Sequence, residues 1–98
     1  MKPGLYFETS KDLETIERFG CDVYRRNVLH LDVDLAMARL EQKRLEGERF
    51  IQVVFFRRMG MPTVVRWHRQ ESWADFELAV RKIISEAIEE LGAEVEML

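Results

Sequence analysis

The chain has 98 residues, with 15 Lys and Arg against 18 Asp and Glu and a formal net charge of −3. That length fits one compact domain, 1–98, and excludes a two-domain architecture. With 47% apolar residues a core can form, and the charge balance is too even for a disordered acidic tail.

The single cysteine, Cys21, excludes an internal disulfide, a Cys-x-x-Cys redox pair and a zinc site built on two thiolates. Met1 to Glu8 carries no apolar stretch long enough for a signal peptide. The longest apolar block, Phe50 to Phe56, falls far short of the roughly 20 residues of a membrane-spanning helix. A soluble cytoplasmic protein is the expectation.

Leu5, Tyr6 and Phe7 read as a short strand. Ser10 offers an oxygen to cap a helix carrying Leu13, Ile16 and Phe19 along one side, with Gly20 as its left-handed terminator. From Val23 to Val33 the residues alternate. Leu29, Leu31 and Val33 fall on one face and Val28, His30 and Asp32 on the other, which predicts a strand. Asp34 is placed to cap a helix over Leu35 to Glu46, with Ala36, Met37, Leu40 and Arg44 on one side and Gly47 closing it.

Phe50 to Phe56 is apolar on both faces, the pattern of a central strand buried from above and below. Met59-Gly60-Met61 turns the chain, and Pro62 to Arg69 returns as a strand whose first residue lacks an N–H. Phe76, Val80, Ile83, Ile84, Ala87, Ile88 and Leu91 then recur at helical spacing. Glu77, Arg81, Lys82, Glu86, Glu89 and Glu90 lie opposite them, an amphipathic helix that Gly92 should end. A short strand at Ala93–Met97 can follow. The expected class is α+β, or a small α/β fold. It is a single mixed sheet with helices packed on it, in the order β-α-β-α-β-β-α.

Met61-Pro62-Thr63-Val64 resembles the cis-proline segment of thioredoxins, whose core has the same element order. Here Pro62 opens the second strand of the hairpin, where that family has it open the first. The stretch from Gln52 to Arg66 resembles the strand-to-helix start of glutaredoxins, with Met61 and Val64 in the two cysteine places. The resemblance implies, as an alternative fold, a thioredoxin-like core without redox cysteines.

Several residues are candidates for chemistry. His30, Asp32 and Asp34 stand at i, i+2 and i+4, so one extended strand would project an imidazole and two carboxylates from the same face. Such a strip suits a hard divalent cation or a general base, the basis for a small metal-dependent hydrolase. The simpler expectation is that Asp34 caps a helix and Asp32 pairs with an arginine. Cys21 follows Gly20 at an expected helix C-terminus, where the dipole raises a thiol pKa and disfavours a nucleophile. No Gly-x-Gly-x-x-Gly, phosphate-binding loop or His-Glu-x-x-His occurs. No cofactor is expected.

Charge layout is the strongest feature. Residues 49–70 hold Arg49, Arg57, Arg58, Arg66 and Arg69, one histidine (His68) and no acid. The rest of the chain therefore carries an excess of eight negative charges. Two expectations follow for Arg57, Arg58, Arg66, His68 and Arg69. They pair with acidic helix faces, within one subunit or across a dimer, or they track a phosphate backbone from a β-ribbon, with Trp67 and Trp73 near enough to stack on bases or guanidinium groups. The leading expectation is a non-catalytic binding or assembly module acting as a homodimer or with a protein partner. A nucleic-acid-binding protein is the alternative, and no membrane is involved.

Overall fold

The computed structural model describes residues 3–11, 13–15, 29–31, 33–91 and 95–97. In chain order its elements are β1 (Gly4–Thr9), β2 (Leu13–Thr15), β3 (Leu29–Leu31) and α1 (Val33–Leu45). They continue with β4 (Phe50–Phe56), β5 (Thr63–His68), α2 (Trp73–Leu91) and β6 (Val95–Met97). The main sheet has the order β2-β1-β4-β5, and its neighbours are all antiparallel. β3 and β6 pair in parallel as a separate two-stranded sheet. The class is α+β.

Alternation decides which way each strand faces. Ile51, Val53 and Phe55 of β4 turn to one side with Leu5 and Phe7 of β1 and Trp67 of β5, and all six are buried. Helix α1 covers them with Ala36, Met37 and Leu40, and α2 with Phe76, Val80, Ile83, Ile84 and Ala87. Removing such side chains from water contributes about 1.5–3 kcal/mol for each large one. On the other face of the sheet, Tyr6 and Val54 are also buried, and Tyr6 meets Phe56 edge-on at 5.4 Å between ring centroids. The run 50–56, apolar but for Gln52, is thus an interior strand with Val53 and Val54 at its centre buried on opposite faces.

Helix ends follow local chemistry. α1 stops at Leu45, and Gly47, at φ 87°, donates its N–H to the Arg44 carbonyl at 3.1 Å. α2 begins three residues before Phe76 because Ser72 caps it. The Ser72 hydroxyl accepts the Asp75 N–H at 3.3 Å, and its carbonyl accepts that of Phe76 at 3.3 Å.

Several expectations are corrected. Leu13–Thr15 pairs with β1 as a strand instead of opening a helix, because Thr9 to Lys11 turns the chain back. In that turn the Lys11 N–H reaches the Thr9 hydroxyl at 3.3 Å. Ser10, freed from capping, donates to the buried carboxylate of Glu48 and accepts the Arg49 N–H at 3.1 Å. Val33 starts α1 instead of ending a strand, so Asp34 sits in the helix's first turn and does not cap it.

The sheet is not a single mixed one, since the parallel pair forms a sheet separate from the antiparallel four, and the order gains β2. The short strand expected within Ala93–Met97 is β6, Val95–Met97. No peptide bond among the described residues is cis, so Pro62 lacks the geometry implied by the thioredoxin resemblance. Residues 16–28, which include Ile16, Phe19, Gly20, Cys21, Val23 and Val28, lie outside the described residues, as do Asp32, Gly92 and Ala93.

Candidate functional site

The strip His30, Asp32, Asp34 is not assembled as one extended face. His30 is in β3 and Asp34 in α1, while Asp32 lies outside the described residues. Period-2 alternation would have to run through residue 34, and the helix has already begun at 33. Among the described residues no group of three His, Cys, Asp or Glu side chains could hold a metal ion.

The hairpin of β4 and β5 gathers the other candidates. Near its turn, Arg57 donates to Glu90, to the Thr63 hydroxyl at 2.7 Å and to Glu86 at 3.4 Å. Its guanidinium also lies 4.7 Å from the centroid of the Phe55 ring. Glu86 and Glu90 are one helical turn apart on α2, so both reach the same cation. Arg58 is exposed in the turn that follows.

On the sheet face away from the helices, β1, β4 and β5 present Glu8, Gln52 and Arg66 in register. Arg66 donates twice to the Gln52 amide oxygen, at 2.9 and 2.7 Å, and the Gln52 amide donates to Glu8 at 2.8 Å. A neutral amide thereby relays between opposite charges on strands that do not touch.

At the base of the hairpin, the ring of His68 stands 6.3 Å from that of Phe50, and Arg69 donates to the Gly47 carbonyl at 2.9 Å. A depression of about 270 Å³ opens here, lined among the described residues by Arg49, His68, Arg69 and Gln70, none of them an acid.

Neither tryptophan presents a stacking platform for a base. Trp67 is buried, donates its indole N–H to the Glu71 carbonyl at 3.0 Å and meets Trp73 edge-to-face at 5.2 Å. Trp73 in turn lies 5.1 Å from Phe76 and 5.1 Å beneath the Arg44 guanidinium. The guanidinium partner foreseen for these rings is therefore an arginine of α1.

Among the described residues the outer edge of β5 ends the main sheet. The Arg69 N–H bonds to the Arg49 carbonyl at 3.1 Å, which phases the ladder. Thr63, Val65 and Trp67 exchange their backbone bonds with β4, while Val64, Arg66 and His68 turn theirs outward. The outward N–H of His68 is taken by the Glu71 carboxylate at 2.9 Å, and its carbonyl by the Glu71 N–H at 2.8 Å. Pro62, next in the outward phase, has no N–H. Among the described residues, Val64 and Arg66 are left presenting donors and acceptors.

A groove runs along this edge beneath α2. One hollow of about 170 Å³ is lined by residues that include Val65, Trp67, Asp75 and Ala79. A second of about 260 Å³ is lined by Val65, Ala79, Lys82 and Glu86 among others. Val65 and Ala79 belong to both, so the helix passes the strand at an alanine.

Sequence reasoning missed Glu71, Asp75, Ala79 and Lys82 as parts of this surface. A partial signal existed in Pro62 and in the exposed alternation Val64, Arg66, His68, which together mark a sheet edge. No family model matches the chain, and no curated protein and no solved structure matches it either. Among the described residues no helix is long and apolar enough to cross a membrane.

Proposed function

We propose that the protein is a small binding and assembly module without catalysis of its own, and that it acts as a homodimer. The observation that supports this is the outer edge of β5. Among the described residues it is open over Val64 and Arg66, stopped at one end by Pro62 and at the other by Glu71, and flanked by a groove lined in part by Val65 and Ala79. Backbone groups on such an edge take up an added strand, and the groove beside it selects which strand. Val64, 49% exposed, and Leu78, 68% exposed, add apolar surface that an assembly would cover. The test is the mass of the native particle over micromolar concentrations. Twice 11.7 kDa is expected. A single-chain mass throughout, with no companion, would overturn the reading.

A second reading has its own support in the depression at the hairpin base. Arg49, His68 and Arg69 converge there with no acid among the described lining residues, which suits a phosphodiester backbone. Arg57 is excluded from that role by its pairing with Glu86 and Glu90. Polynucleotide binding that weakens linearly in log–log terms with salt would support this reading, and no binding at low salt would end it.

A further inference from the structure

We propose that two copies join through antiparallel pairing of β5 with β5 of the second copy, centred on Val65, with Asp75 of each facing the partner's Lys82. This rests on the self-association reading above and gives it a register.

Among the described residues only two outward residues are available, so the possible registers are few. A two-fold axis at Val65 sets Val64 opposite the partner's Arg66, and Arg66 opposite the partner's Val64. Each of these pairs exchanges two backbone bonds, and all four outward groups on each strand are used. A two-fold at Val64 would set Arg66 against the partner's Pro62, which has no N–H to give. A two-fold at Arg66 would oppose two like charges directly and set Val64 against the partner's His68, whose backbone Glu71 already holds. The Val65 register is the one that leaves nothing unmade.

Helix α2 agrees with this choice independently. Ala79 lies beside Val65 in both hollows of the groove, so the same axis brings Ala79 toward the partner's Ala79. A small residue at that point lets the two helices approach, and the axis makes them antiparallel. Asp75 stands four residues before Ala79 and Lys82 three after it, which places each acid within one position of the partner's base. Neither side chain has an ion-pair partner among the described residues. Leu78 lies one helical turn from both and is covered in the same step. The stripe is self-complementary, as an isologous contact requires.

The experiment measures the dissociation constant of the full chain by dilution, using light scattering or native mass, for wild type and four variants. Val64→Pro removes an outward N–H without touching the β4 ladder. It should keep the far-UV spectrum and weaken the dimer by about 100-fold or more. Asp75→Lys and Lys82→Asp should each weaken it by about tenfold, and the double variant Asp75→Lys/Lys82→Asp should return to within about threefold of wild type. The charge swap stays decisive if Val64→Pro fails to fold. A wild-type dimer whose double variant is as weak as the two single losses combined would overturn this register while leaving self-association intact. A wild type that stays a single chain would overturn the self-association itself.

Discussion

At the turn end of the hairpin, Arg57 lies across Phe55 and is held by Glu86, Glu90 and Thr63. At the base end, Arg69 holds the carbonyl of Gly47, and His68 is tied through its backbone to Glu71. The difference comes from which part of α2 passes each end. Its later turns carry Glu86 and Glu90 over the turn end, whereas its first turn is engaged in capping and in the aromatic cluster of Trp67, Trp73 and Phe76. A charge count over residues 49–70 treats both ends alike. The helix divides them into cations that hold the fold and cations that face outward.

The comparison breaks most visibly at Phe55. Phe55→Ala removes a fully buried ring and the platform under Arg57. Urea unfolding should show a loss of about 3–5 kcal/mol. Arg57→Ala should cost about 1–2 kcal/mol, from two partly exposed ion pairs and the contact with the ring. In the Phe55→Ala background that cost should shrink. An undiminished cost would show that ring and cation act independently. Arg69→Gln should leave stability within about 0.5 kcal/mol. If the base end contacts a polynucleotide, the same change should lower the salt slope of binding by about one contact. A destabilisation by Arg69→Gln as large as that of Arg57→Ala would erase the distinction between the two ends.

Where the periodicity was long, the sequence was a good guide. The stripe from Phe76 to Ile88 is the buried side of α2, with Ile84 at 2% exposure and Ile88 half-buried against the core. Phe55 and Phe56 do point to opposite faces of β4, as a two-sided apolar run requires. Short elements were less legible. Leu13, Ile16 and Phe19 have helical spacing, yet Leu13–Thr15 pairs with β1, since a three-residue segment is decided by its neighbour and not by its own pattern. The cation-rich hairpin was visible as a count. Its partners were not, because Glu86 and Glu90 lie 29 and 33 residues from Arg57 along the chain. The same holds for the open edge. Pro62 marks it locally, but that Ala79 stands beside Val65 is a tertiary fact with no local signature.

The packing of Trp67 against Trp73 has an optical consequence. These are the chain's two tryptophans, and they sit edge-to-face at 5.2 Å, one on the edge strand and one on the first residue of α2. Transition dipoles that close couple to each other, so the near-ultraviolet circular dichroism of the protein should be dominated by one interacting pair. The signal reports a single event, the seating of the start of α2 on β5. Heating or a mutation that lifts that first turn should abolish the band while the far-ultraviolet spectrum persists, which makes the native chain its own label for local opening at this edge.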